Sequence, residues 1–289
     1  MISVAIILVF ISAILHVSWN VMVQSTDDPL VVTTKAVSLG MLALTPFLIF
    51  FWVFSHYPAI PPYAWFYALL SGIAELFYFM FLSYAYRHGQ LSIVYPIARG
   101  SGPIISVLLG LFLLKEPVGA YQISGVILLI IGIWLVRRAR VKGMKGILPA
   151  LLTGLFIALY TVIDKVGLHY TNPIIFGGLK YLFTALCLLA WIPLRKSFNI
   201  HALTEEEIKN QIKTPWWKIG LIGIFIIAAY QLVLFALSST PVAIVAPLRE
   251  SASVIVTGWG IWQLKEREGL YFKIIGAISI FVGIILLTM

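Results

Sequence analysis

Residues 113–133 read LLKEPVGAYQISGVILLIIGI, and residues 263–284 read QLKEREGLYFKIIGAISIFVGI. Set one over the other, Glu116 lies over Glu266, Tyr121 over Tyr271 and, after a one-residue gap, Gly132 over Gly283. The agreement continues outward. SIVYPIARGSG (92–102) answers to AIVAPLRESAS (243–253), with Pro96 over Pro247 and, after a one-residue shift, Arg99 over Arg249. HVSWNVMVQSTDDP (16–29) matches YTVIDKVGLHYTNP (160–173) without a gap, pairing Asn20 with Asp164 and Pro29 with Pro173, and Gly72 meets Gly223. The chain is two related halves, and ordered agreement of Pro, Arg, Lys-Glu and Gly positions is what separates a repeat from chance likeness between apolar segments.

The solvent follows from composition. Of 289 residues, 61% are hydrophobic and 11% charged, with a mean hydropathy of +1.01; soluble chains carry charge on roughly a quarter of their residues. Apolar windows fall near 3–23, 31–54, 62–86, 91–113, 118–136, 147–168, 174–194, 217–237, 241–263 and 269–288. Each is close to the ~20 residues that cross a hydrocarbon core. Spans in lipid must satisfy their own backbone, so they are helical. The expectation is an all-α polytopic membrane protein with ten transmembrane helices, five in each half. Five is odd, so the second half runs through the membrane inverted relative to the first, a construction used by secondary transporters with a midplane site between repeats. The organisation expected is a first repeat over 1–137, a basic connector over 138–146 and a second repeat over 147–289. Within the second repeat an extended loop, 195–216, carries a short surface helix at 204–213, because Thr204 followed by Glu205, Glu206 and Glu207 is a capping pattern. The N-terminus has no basic stretch or small-residue cleavage site before its first polar break, so it reads as a retained span.

The two-fold five-span layout and the stretch LKEPVGAYQISGVILLIIGIWLV (E-P, then Q-x-x-G, then an apolar run with Gly) resemble the drug/metabolite transporter superfamily in its EamA-like branch. The likeness spans the whole chain. Its second copy departs, with Arg267 and Glu268 after Glu266 and Phe272 in the place of Gln122. The resemblance implies ten helices around a central cavity open to one side at a time, working without ATP, and says almost nothing about substrate.

Ionisable groups within spans are functional-site candidates by default. Glu75 lies deepest, near the middle of the third span, and its counterpart is Ile226, so the scaffold does not require a carboxylate there. A lone carboxyl at that depth suits a proton-coupling group; no other cofactor is expected. Spans three and four turn near residues 88–90, and a rise of 1.5 Å per residue puts Glu75 and Arg99 within about 5–6 Å in depth. They are expected to pair or to face each other. Arg249 and Glu250 are neighbours and cannot share a helix face. His16 and Asn20, four apart, do share one. Tyr78, Asp164, Tyr230 and Gln231 complete the candidate pathway, Gln231 serving either substrate or interhelical contact. Lys35 and Lys180 occupy equivalent places near the starts of spans two and seven, from which lysines can snorkel. The interior set of Lys35, Arg99, Lys180 and Arg249 against Glu75, Asp164 and Glu250 is mildly basic and leans toward an anionic or zwitterionic solute. Pro96, Gly100, Gly102 and Pro103, with Pro247 in the second copy, are expected to break the fourth and ninth spans into a cavity wall and bending point.

The net charge of +9 sits between apolar runs, as topology requires, without a basic aromatic-interleaved helix, so nucleic acid is excluded as a partner. The expected partners are a small-molecule solute and the lipid bilayer of a cell membrane, with no soluble partner required. Basic residues after span five and in the 195–218 loop point to the cytoplasm. One cysteine, Cys187, makes no disulfide and no metal set. No H-E-x-x-H, nucleophile elbow or Walker A occurs, which argues against an enzyme and against direct ATP drive. The expected function is a secondary active transporter, exporter or exchanger, moving a small metabolite such as an amino acid or organic anion by alternating access. The alternative on the same fold is a multidrug or lipid-linked substrate exporter.

Overall fold

A computed structural model describes residues 2–24, 26, 28–56, 59–88, 91–136, 146–197, 214–250 and 270–287. Among these residues there is no strand, and ten helices follow in order: α1 (Ile2–Gln24), α2 (Pro29–Phe54), α3 (Pro62–His88), α4 (Leu91–Phe112), α5 (Ala120–Val136), α6 (Ile147–Gly167), α7 (Pro173–Ser197), α8 (Trp216–Ser239), α9 (Val242–Arg249) and α10 (Leu270–Leu287). Six of them, α1, α2, α3, α6, α7 and α8, are long and apolar enough to cross a membrane; α4, α5 and α10 carry shorter apolar stretches. The span expected over 241–263 is described only to residue 250, and most of the basic connector and the surface helix at 204–213 lie outside the described residues.

Local chemistry sets the helix starts. Pro29 and Pro173 open α2 and α7, where a missing N–H is no loss. The Asp28 carboxylate accepts from the Leu30 and Val31 amides at 3.1 and 3.2 Å, and the Asn172 carbonyl accepts from Ile174 and Ile175 at 3.1 and 3.0 Å. The two caps precede the two matched prolines, so the repeat reaches down to its hydrogen bonds. Several hydroxyls inside the helices donate back one turn, as Thr34 does to Leu30 and Thr161 to Ile157, which satisfies them without water.

Packing joins the halves to each other more than it joins each half to itself. Helix α3 packs on α6 and α7, and α8, its counterpart, packs on α1 and α2; α2 lies on α7, α4 on α9 and α5 on α10. Every one of these pairs crosses between repeats. A Cβ on Gly132 would sit 2.6 Å from the Gly276 carbonyl, and one on Gly283 would sit 2.7 Å from the Gly125 carbonyl. Residue 125 therefore meets 283 while 132 meets 276, so α5 and α10 run antiparallel, backbone to backbone. Ser279 adds a hydrogen bond to the Leu128 carbonyl at 2.8 Å in the same crossing. Small residues allow this approach, which gives helices in lipid their van der Waals contact.

The outer surface is apolar and the charges are inside. Phe47, Phe50 and Phe54 on α2 and Trp216 and Trp217 at the start of α8 are exposed, whereas Glu75, Arg99, Asp164, Lys180, Arg249 and Glu250 are buried. That is the arrangement of a bundle whose surroundings are lipid.

One expectation is corrected here. The stretch 95–104 does not break its span: α4 is continuous from residue 91 to 112 through Pro96, Gly100, Gly102 and Pro103. Gly102 packs on α6, where a Cβ would come within 3.1 Å of Ile157, and a Cβ on Gly154 would lie 2.9 Å from the Gly102 amide. The glycine allows helix contact, and Gly100 and Pro103 are buried as well. Pro247 also lies inside its helix, α9, and is buried. The E-P motif, in turn, has a structural role. Glu116 accepts from the Val242 and Ala243 amides at 2.7 and 3.0 Å and so caps α9 of the other half, whose own cap residue, Pro241, contributes no side-chain bond. Replacing Glu116 by Ala leaves both amides without their acceptor at a positive helix end. We expect a loss of about 1–3 kcal/mol, read as a lower unfolding midpoint in detergent, with Glu116→Gln intermediate.

Candidate functional site

Helices α3, α6, α7 and α8 bring one buried polar cluster together. Lys180, on α7, is fully buried, and its ammonium lies 2.8 Å from Asp164 Oδ2 on α6 and 3.7 Å from Glu75 Oε2 on α3. Thr184, one turn beyond Lys180, donates to Glu75 Oε2 at 2.8 Å. Tyr230, on α8, donates to Asp164 Oδ2 at 2.5 Å. The ammonium also sits over two rings, 3.5 Å from the centroid of Tyr230 and 4.4 Å from that of Tyr160. Each carboxylate thus has a hydroxyl donor of its own besides the shared lysine.

A second pair lies on α4 and just past α9. Arg99 meets Glu250 at 3.5 Å, and Arg249 reaches over the Tyr230 ring at 5.1 Å with its guanidinium 3.5 Å from the Tyr160 hydroxyl. Arg249 and Glu250 do face different partners. The expected Glu75–Arg99 pairing is not what forms: Glu75 takes Lys180 and Arg99 takes Glu250. Helices α3 and α4 barely touch, each packing on α6 instead.

The two lysines part company. Lys35 is half-buried, with its ammonium 5.8 Å from the Trp216 ring, as a snorkelling residue would be. Lys180 points inward. Lys35 is the sixth residue after Pro29, and Lys180 the seventh after Pro173; one residue of offset turns a side chain by about 100° around the helix. Without Lys35 the interior set balances, Arg99, Lys180 and Arg249 against Glu75, Asp164 and Glu250; Asp28, also buried, is the cap of α2. The expected basic excess is therefore absent among the described residues.

Other candidates divide between wall and framework. Rings run without a gap from α1 to α8: His16 to Trp19 at 5.0 Å, Trp19 to Phe79 at 6.4 Å, Phe79 to Tyr78 at 4.7 Å, Tyr78 to Tyr160 at 5.7 Å and Tyr160 to Tyr230 at 5.4 Å. Trp19 donates to His16 Nδ1 at 3.3 Å, while Nε2 is buried with no hydrogen-bond partner among the described residues. Asn20 is spent locally, donating to the His16 carbonyl at 2.7 Å. Gln231 is interhelical contact, donating to the Pro173 carbonyl at 2.8 Å. An apolar groove lined by Ile104, Val107, Val126, Ile130 and Ala243 carries no polar side chain and is separate from the cluster. Among the described residues no group of His, Cys, Asp and Glu is placed to hold a metal.

Tyr160 and Thr184 were not anticipated. Both were findable: Tyr160 stands over His16 in the repeat and four residues before Asp164, and Thr184 stands four after Lys180, so each shares a helix face with a charge.

Comparison with known proteins agrees with this architecture. A crystal structure of another protein superposes with a TM-score of 0.71 over 98% of this chain and 96% of that one, at 17% identity, which speaks to the fold alone. An uncharacterized protein of Methanocaldococcus jannaschii is 39% identical over 67 residues, 23% of this chain and 48% of the relative, so the match spans about half that protein's length. The model of the EamA-like transporter family matches twice, at residues 3–138 and 144–289. With a match on each of the two halves that the repeat divides, the chain belongs to the EamA-like transporter family.

Proposed function

We propose that the chain is a secondary active transporter, ten spans in two inverted repeats, that moves a small zwitterionic metabolite of the amino-acid type by alternating access. The observation that carries this reading is the buried, charge-balanced set contributed by both repeats. Charges are held within spans at high cost, and a site with acids and bases in reach of one another can meet both ends of a zwitterion. An organic anion is the neighbouring possibility, served by Arg249 and Arg99 through bidentate contact. Antiparallel crossing of the equivalent helices α5 and α10 supports inversion, the relation from which two access states of similar energy arise.

Counterflow in proteoliposomes tests this. Labelled amino acid should exchange saturably without ATP, and unsaturable flux would mean a channel. Glu75→Gln separates two roles for that carboxylate. If gradient-driven uptake is lost while counterflow persists, Glu75 couples a proton; if both fall at least about tenfold, it binds solute. Unchanged rates in both assays would remove Glu75 from the mechanism. A second reading, export of aromatic cations, draws on the continuous ring wall from His16 to Tyr230. Inhibition of counterflow by a cationic aromatic dye but not by amino acids would favour it.

A further inference from the structure

The groups around the Lys180 ammonium form a complete receptor for an ammonium ion, and the chain fills it with its own side chain. Two carboxylates and two ring faces converge on one nitrogen that is wholly buried. The receptor does not depend on the lysine to hold its shape. Tyr230 fixes Asp164, and Thr184 fixes Glu75. Nor does the lysine satisfy it. An ammonium has three donors, yet Lys180 is within hydrogen-bond distance of one carboxylate oxygen and stands 3.7 Å from Glu75. Asp164 Oδ1 is buried with no hydrogen-bond partner among the described residues. Such an oxygen is expensive to leave bare in the interior. A free ammonium, unconstrained by a stem rooted in α7, can settle between Asp164 and Glu75 and use what Lys180 leaves unused.

We propose that Asp164, Glu75, Tyr160 and Tyr230 are a binding site for a primary alkylammonium group, that Lys180 is its tethered occupant in this state, and that a solute's ammonium enters by displacing Lys180. Displacement keeps the charge of the cage constant, since one cation replaces another, so two carboxylates are never left alone in the bundle. This rests on the transport reading only for the identity of the entering solute; the cage itself is a binding site and is tested without transport.

Lys180→Ala removes three carbons and the ammonium, which is n-propylammonium. Purified in detergent, this variant should gain several degrees of unfolding midpoint, saturably, with added n-propylammonium. Equal sodium chloride and equal 1-propanol should give no such gain, and adding Asp164→Asn should abolish it. Where Lys180→Ala fails to fold, Lys180→Met keeps the stem and leaves space for the nitrogen alone, so the ammonium ion, added as ammonium chloride, replaces propylammonium as the probe. Equal shifts with sodium or propanol, or no ammonium-specific shift in the variant that folds, overturn the proposal. An ammonium-specific shift combined with absent counterflow would leave the cage standing and remove the transport reading; counterflow without the shift would do the reverse.

Discussion

Asp164→Ala is expected to destabilise the protein by about 3–5 kcal/mol, among the largest single-residue effects in the chain. The carboxylate is fully buried and holds two groups at once, the Lys180 ammonium at 2.8 Å and the Tyr230 hydroxyl at 2.5 Å. Removing it leaves a buried cation whose remaining carboxylate, on Glu75, is 3.7 Å away and already takes the Thr184 hydroxyl. It also strands the tyrosine hydroxyl between α6 and α8. Asp164→Asn retains an acceptor for Tyr230 and loses only the charge, so it should fall between wild type and Ala. The double change Asp164→Ala with Lys180→Met should cost less than the sum of the singles by about 1–3 kcal/mol, because it removes cation and anion together. Unfolding midpoints in detergent for the four members of the cycle decide this; additive losses would show that the two residues do not share a contact.

The second large effect belongs to a residue without a side chain. A Cβ on Gly223, on α8, would run into the Ala36 carbonyl oxygen and stand 3.2 Å from the Gly40 amide of α2. These are backbone atoms of a neighbouring helix and cannot swing aside. Gly223→Ala should therefore force α2 and α8 apart, at about 1–3 kcal/mol or more, and Gly223→Val should exceed it. Gly220 lies one turn earlier on the same helix, where a Cβ would meet nothing within 4 Å. Gly220→Ala should be neutral or stabilising by up to about 1 kcal/mol through helix propensity. Similar midpoints for the two alanine variants would refute the crossing. The counterpart crossing behaves alike: a Cβ on Gly72 of α3 would fall 2.9 Å from the Thr184 amide of α7, so this glycine sets how closely α3 approaches the helix whose Thr184 hydroxyl donates to Glu75.

Much of this was legible in residues alone. Apart from the window 241–263, described only to residue 250, helix bounds follow the apolar windows closely, since transfer of a backbone segment into lipid depends on its own side chains. The matched prolines open matched helices, and the matched glycines, 72 with 223 and 132 with 283, lie at matched crossings. Arg99, Glu75, Asp164, Lys180, Arg249 and Glu250 could be singled out as charges among apolar neighbours, and all six are buried. Their pairing could not. Depth along a hairpin places Glu75 near Arg99, but the bundle interleaves the repeats, so α3 looks at α6 and α7 and not at α4. The stretch holding Pro96, Gly100, Gly102 and Pro103 was likewise expected to break its span, and α4 runs through it; at Gly102 the missing side chain that loosens a helix in isolation lets two helices approach.

The sequence by itself determined that this is a helical membrane protein of two related halves, and which charges lie deep, because hydropathy and repetition are properties each segment carries alone. Only the tertiary structure decided that Lys180 enters the cage while Lys35 turns to Trp216, that Arg99 takes Glu250, and that Glu116 caps a helix of the opposite half. Those outcomes depend on helix phase, where one residue is worth about 100°, and on glycine crossings that choose which helices meet.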